Sequence, residues 1–173
     1  MDARRKALLG VRDAIDPEQR RLFSKSICFD IINSSEYKNA KNVMCYCAIG
    51  SEVQLDTLIA HALQSGKRVL LPVCDKDTRT MVAHFYEGEL KSGAYGISEP
   101  TGEQGIPDII ICPMLAFNKE RYRIGYGAGY YDRYLKKSNA VFFGAAFSVQ
   151  KAEFDPKEHD VPLHRIYTQE EIF

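Results

Sequence analysis

Arginine, glycine and aspartate crowd into one stretch of this chain: Arg121-Tyr122-Arg123-Ile124-Gly125-Tyr126-Gly127-Ala128-Gly129-Tyr130-Tyr131-Asp132-Arg133. Glycines at alternate positions let the backbone turn sharply and present its N–H groups. Such nests, like helix N-termini, bind phosphate oxygens. Arginine grips the same oxygens bidentately, and a carboxylate can hold a hard cation. Peptide donors, fixed positive charge and one acid are together what a magnesium-bound polyphosphate requires. A bare Gly-x-Gly-x-Gly occurs in many turns, so the flanking charges carry as much of this reading as the glycines. No Gly-Lys-Ser/Thr follows, so the run is not a Walker A loop. Tyr130 and Tyr131 stand where a dinucleotide fingerprint needs its third spaced glycine, which makes hydride transfer a poor fit.

The elements around this run must hold it at a sheet edge. Ile109-Ile110-Ile111-Cys112 reads as a buried strand, and the glycine run comes after its carboxyl end, where open α/β sheets bind ligands. Val43 to Ile49 reads as a strand broken by Gly50 and Ser51. Leu55, Leu58, Ile59 and Leu63 mark an amphipathic helix closed by Gly66. Val69-Leu70-Leu71 reads as a second strand, stopped by Pro72. Strand, helix and strand at this spacing predict a right-handed parallel crossover. Met81 to Tyr86 reads as a more exposed strand, Glu87 to Pro107 as an irregular excursion, Tyr130 to Lys137 as a short helix, and Val141 to Phe147 as a further strand.

Upstream, residues 2–15 read as a basic helix with Leu8, Val11 and Ile15 on one side. Asp16-Pro17-Glu18-Gln19 restarts the chain as a capping box, with Pro17 at the first helical position. Phe23, Ile27 and Ile31, four residues apart, give the next helix its buried side.

Composition narrows the function classes. At 173 residues the chain fits one domain with a substantial core. Its 23 basic and 23 acidic residues balance, so there is no electrostatic footprint for nucleic acid or an anionic membrane. No apolar run approaches the roughly 20 residues of a membrane helix. Met1 to Lys6 is charged with no apolar stretch behind it, so no secretory signal is expected. Five cysteines in apolar settings read as small buried hydrophobes of a reducing cytosol rather than a disulfide framework. Cys45 and Cys47, flanking Tyr46, are expected to point to opposite faces of their strand. His61, His84 and His164 have no metal-ligand spacing.

Pro113-Met114-Leu115-Ala116-Phe117 followed by Arg123 to Arg133 resembles the signature of the 5-formyltetrahydrofolate cyclo-ligase family, also called 5,10-methenyltetrahydrofolate synthetases. Gly50-Ser51-Glu52-Val53, Gly144 to Gln150 and His159-Asp160-Val161-Pro162-Leu163 resemble further family segments in the family's order, over nearly the whole chain. The resemblance implies a single three-layer α/β/α domain over residues 1–173. Its sheet would be mostly parallel and flanked by helices, of the NagB/RpiA/CoA transferase-like kind. It also implies an activity: ATP- and Mg²⁺-dependent closure of 5-formyltetrahydrofolate, in some cases polyglutamylated, to 5,10-methenyltetrahydrofolate, by a monomeric cytoplasmic enzyme.

By the same resemblance, Arg123 and Tyr131 are the catalytic candidates and Glu52 and Tyr131 contact the folate. Arg4, Arg5, Arg123, Ile124, Gly125, Tyr126, Gly127, Ala128, Gly129, Tyr130, Asp132 and Arg133 hold ATP, and Asp132 holds the metal. Arg133 could instead pair with Asp132, and Arg121 could be surface charge. His159 and Asp160 read as a structural hydrogen bond. Two positions depart from the family pattern. Met1 replaces a lysine, leaving Arg4 or the free α-amino group in its place. Ala128 stands where Gly or Lys is common, so ordinary backbone geometry is expected there. A relative acting on another substrate and a non-enzymatic nucleotide-binding module remain open as alternatives.

Overall fold

The computed structural model describes residues 1–173. Six strands form one sheet in the order β10-β9-β6-β1-β2-β3. They are β1 (Asn42–Met44), β2 (Arg68–Asp75), β3 (Thr80–Phe85), β6 (Ile109–Cys112), β9 (Val141–Ala145) and β10 (Arg165–Tyr167). All pairings are parallel except β2 with β3. From β1 the chain winds outward in one direction through β2 and β3, and in the other through β6, β9 and β10. The reversal lies between β1 and β6, and a crevice opens at the carboxyl ends of strands at such a switch point.

The helices form where the caps and apolar spacing dictate. α1 (Ala3–Asp13) starts at Asp2, whose carboxylate accepts from the Arg5 N–H. α2 (Pro17–Asn33) starts at Asp16, which accepts from the Glu18 and Gln19 N–H groups. The backbone half of the expected capping box is made, and the return bond from Gln19 is absent. α3 (Ser35–Asn39) is capped by Ser34. α4 (Asp56–Gln64) crosses from β1 to β2 and ends at Gly66, φ +73°. α5 (Tyr130–Leu135) is the short helix behind the glycine run.

Two apolar layers sandwich the sheet. On one side Ile27, Cys28 and Ile31 of α2 and Leu58 and Ala62 of α4 pack on Val43, Val69, Leu71, Ile109, Ile111 and Phe143. On the other, Leu135 of α5 joins Met44, Leu70, Ile110, Phe142, Met114, Phe117 and Ile166. Along β6 every residue is buried, as a central parallel strand covered on both faces requires.

Several local expectations change. β1 stops at Met44, and the Cys45 and Cys47 thiols do not point to opposite faces. Both pack on the α2–α4 side, as residues two apart in extended chain must. β2 runs through Pro72. The Leu70 carbonyl accepts from the Cys45 N–H and the Val69 carbonyl from the Tyr86 N–H, so Leu70 and Pro72 face β1 while Val69 and Leu71 face β3. β1 pairs no further than Leu70, and the N–H that proline lacks has no ladder partner to lose. Val11 is 47% exposed and Arg12, not an apolar residue, is the buried member of α1.

The excursion after Tyr86 is not wholly irregular. It holds an antiparallel hairpin of β4 (Leu90–Ser92) and β5 (Ser98–Pro100) around a 3₁₀ turn, Ala94–Gly96. Glu99 secures it: buried, its carboxylate accepts from the Cys74 and Ala94 N–H groups at 3.0 and 3.2 Å. A second hairpin, β7 (Ala116–Phe117) with β8 (Arg123–Ile124), delivers the chain into the glycine run. The run therefore follows a strand directly, two residues long.

Candidate active site

At the switch point the carboxyl ends of β1 and β6 give way to Tyr46, Cys47 and Pro113, which floor a cavity of 590 Å³. One wall is the run Arg123 to Asp132, and beside it stand Asp2, Arg4 and Arg5 of the α1 end. The opposite wall is Ile49, Glu52, Cys74 and the Ala94–Glu99 hairpin. Phe154, Asp155, Lys157, His159 and Asp160 close one end. Every candidate residue but Arg133 lines this one space.

The three glycines are not equivalent. Gly127 and Gly129 have φ of +105° and +71°, a region that side-chain-bearing residues enter at a cost of about 1–3 kcal/mol. Gly129 is the N-cap of α5. Gly125 has no positive φ, and a methyl group there would meet nothing. Its carbonyl accepts from Arg5 Nε at 2.9 Å, so what Gly125 contributes is an open approach. Ala128, as expected, has ordinary backbone geometry.

Arg123 opens β8 and is almost wholly buried. Its Nη2 donates to Asp132 Oδ1 at 2.9 Å and its Nη1 to the Val161 carbonyl at 3.1 Å. Asp132 sits in the first turn of α5, where a carboxylate also suits the helix dipole. Arg133, considered as a partner for Asp132, makes no such pair. Its guanidinium donates to the carbonyls of Arg79 and Ala128, and it lies over the Tyr130 ring at 5.6 Å. It braces α5 against the turn after β2. Arg121 likewise turns inward, its Nε donating to the Leu163 carbonyl, so it fastens the closing segment.

On the facing wall, Glu52 is buried and aimed by a tight turn. The Ile49 N–H donates to its Oε2 at 2.9 Å, and its own N–H to the Ile49 carbonyl at 3.2 Å. Burial pushes its carboxyl above the ordinary value; the Ile49 N–H, the Arg12 guanidinium and the Tyr126 hydroxyl pull it back. Tyr131 points its hydroxyl into the protein, where it is shut from solvent and has no hydrogen-bond partner. Burial raises its phenol well above the usual range. An unpaired buried hydroxyl beside a cavity leaves a hydrogen-bonding group unsatisfied in the ligand-free protein. Tyr130 faces the other way, its hydroxyl 3.0 Å from that of Tyr95 on the hairpin.

Arg4 lies over the Phe154 ring at 5.7 Å, and Arg5 forms an ion pair with Asp2. His159 Nε2 is 3.8 Å from Asp160 Oδ1, while Asp160 Oδ2 accepts from the Lys157 N–H, a loop-closing role. No group of three or more His, Cys, Asp or Glu is placed to hold a metal ion, so any cation here must draw ligands from a phosphate chain and water besides Asp132. The free Oδ2 of Asp132 suits that use.

Sequence reading passed over Asp2, Arg12, Tyr95, Glu99 and the 154–157 segment. Asp2 and Arg12 had a signal: Asp2 is an N-cap three residues before Arg5, and Arg12 follows Arg5 by seven residues on the same helix face. Glu99 had none, because an acid in a Gly/Ser-rich stretch reads as solvated.

The sequence model of the 5-formyltetrahydrofolate cyclo-ligase family matches residues 2–169. The 5-formyltetrahydrofolate cyclo-ligase of Haemophilus influenzae is 31% identical over 169 residues, covering 90% of each chain. The solved structure of the Aquifex aeolicus 5,10-methenyltetrahydrofolate synthetase superimposes with a TM-score of 0.85 at 33% identity, over 97% of this chain and 89% of that one. The synthetase of Mycoplasma pneumoniae gives 0.82 at 26% identity, over 98% and 100%. With a match running from end to end in both sequence and fold, the chain belongs to the 5-formyltetrahydrofolate cyclo-ligase family.

Proposed function

We propose that this chain converts 5-formyltetrahydrofolate to 5,10-methenyltetrahydrofolate with consumption of ATP and release of ADP and phosphate. The observation that carries the reading is one cavity in which an arginine-flanked glycine loop, with the unpartnered phenol of Tyr131 just behind it, faces a buried carboxylate, Glu52. The first wall has the chemistry of a polyphosphate cradle, the second that of a heterocycle site.

The formyl oxygen is a poor leaving group. It attacks the γ-phosphorus, the bond to the β–γ bridging oxygen breaks, and ADP leaves. N10 then attacks the activated formyl carbon, the carbon–oxygen bond breaks, phosphate departs, and N10 gives up its proton. Such steps need alignment and charge neutralisation more than a protein nucleophile. Arg123 supplies fixed charge from a buried position, and Gly125 and Gly127 let the chain approach the phosphates. Arg4 and Arg5 add charge from α1. Glu52 accepts pairs of N–H donors from the pterin, and Tyr131 donates to the ligand. Mg²⁺, held by Asp132 and phosphate oxygens, would neutralise developing charge. Arg133 acts by bracing α5. The chain works as one monomeric cytoplasmic domain, on folates with or without added glutamates.

Near-UV absorbance of the methenyl product, followed with and without ATP and with Mg²⁺ chelated, tests this. Product that requires both is expected. ATP binding without product would transfer the site to a different substrate.

A further inference from the structure

Arg12, on α1, is the largest fully buried side chain in the protein, and the proposed chemistry does not use its charge. Its fork reaches three separate segments. Nε donates to Ser51 Oγ at 2.9 Å, Nη1 to the Met114 carbonyl at 3.1 Å, and Nη2 to the Tyr126 hydroxyl at 2.7 Å. Ser51 in turn donates to Asp13, and the Met114 carbonyl also accepts from Gln150 Nε2. Arg12 Nη1 is 4.0 Å from Glu52 Oε1, the nearest carboxylate oxygen to the buried charge.

We propose that Arg12 is a positioning residue that joins the two walls of the site, holding Glu52 as a carboxylate on one side and fixing the glycine loop through Tyr126 on the other. The inference rests on the reading of Glu52 as a folate contact. Geometry carries it. Residues 51 and 52 belong to the turn that aims Glu52, and residue 126 lies between Gly125 and Gly127 of the loop. Arg5, two helical turns earlier on the same face, holds the adjacent Gly125 carbonyl. α1 thus grips the loop at neighbouring residues, and only Arg12 also grips the folate wall.

The groups facing Glu52 make Arg12 decisive for its charge. From α1 comes Arg12, the sole cation. From the glycine loop comes Tyr126, and from Tyr46 and Tyr131 come two further phenols, all neutral. Burial already opposes ionisation of Glu52. An opposite charge within about 4–6 Å favours the ionised form by roughly 1–3 pH units. Lysine keeps the charge but lacks the planar fork, so it cannot hold Ser51, Met114 and Tyr126 together.

The test follows the Glu52 carboxyl by ¹³C NMR in the ligand-free protein, assigned with Glu52→Gln, in wild type, Arg12→Met and Arg12→Lys. The midpoint is expected to rise by about 1–3 units in Arg12→Met and to stay near wild type in Arg12→Lys. In turnover assays the acid limb of kcat/KM for the folate should move up with it in Arg12→Met. Arg12→Lys should keep that limb while its KM for ATP rises about tenfold. An unchanged Glu52 midpoint in folded Arg12→Met overturns the proposal. If Arg12→Met does not fold, Arg12→Lys decides: wild-type KM for ATP overturns it. Because the titration needs no substrate, its outcome is separate from the failure of the wild type to form methenyltetrahydrofolate, which would refute the proposed activity instead.

Discussion

Replacing Tyr131 by phenylalanine should make the protein more stable and a worse enzyme. The hydroxyl is buried with no partner, so the folded state carries its desolvation without a compensating bond. An unsatisfied buried polar group costs about 1–3 kcal/mol, and the adjoining cavity places the expected gain near the lower end, about 1 kcal/mol. Phenylalanine keeps the ring, its packing between α5 and the core, and its place 5.9 Å from the Arg123 guanidinium. For a domain of this size 1 kcal/mol raises Tm by about 2–4 °C. On the proposed reading the hydroxyl finds its partner in the ligand, so losing that bond should lower kcat/KM about tenfold, equivalent to about 1.4 kcal/mol. Differential scanning calorimetry without ligand, set beside methenyl absorbance kinetics, reads both. A Tyr131→Phe protein that melts lower than wild type refutes the argument that the hydroxyl is unsatisfied. Unaltered kinetics refutes its assignment to the ligand.

The glycines should separate by backbone. Gly127→Ala, at φ +105°, should lose about 1–3 kcal/mol in urea unfolding. Gly125→Ala should stay within about 0.5 kcal/mol of wild type yet weaken ATP binding by titration calorimetry. Equal stability losses in both would undo the distinction. Arg123→Ala should lower turnover by about 100-fold or more, as loss of a preorganised donor does, with the circular dichroism spectrum intact. Near-normal turnover would remove Arg123 from the mechanism. Glu99→Ala frees the Cys74 and Ala94 N–H groups. Limited proteolysis should then cut near Lys91 sooner than in wild type, and an unchanged cleavage pattern would show that the hairpin is held by other means.

What the sequence disclosed follows physical range. Long apolar runs and helices with caps were legible: β6, α2 and α4 come from spacing a few residues wide. β7, β8 and β10 were not, since two or three residues carry no period and pair only because the rest of the fold offers an edge. Ile166, for instance, exchanges hydrogen bonds with Phe173. Pro72 read as a stop because the sequence cannot reveal that β1 ends beside it. The glycine run could be picked out from its own residues, whereas Glu52 was named only through the family resemblance. Arg12 showed only its place on the Arg5 face of α1, because its contacts are with Ser51, Met114 and Tyr126, at separations of 39, 102 and 114 residues. Val11 beside it fits an amphipathic pattern that a buried guanidinium displaces.

α1 has a further consequence, in the hierarchy of local openings. The one fully buried side chain it contributes is charged, and it is fastened by hydrogen bonds to loops more than by an apolar stripe. Elements with little apolar burial exchange their amide hydrogens through partial unfolding well below the global stability. α1 should therefore detach and reseat while the sheet stays closed. Only the seated population presents Arg4 and Arg5 to the cavity, so any ligand that uses them binds with an affinity scaled by that fraction. Occupancy of the cavity should then appear first as slowed deuterium uptake in residues 3–13, ahead of any change in β6.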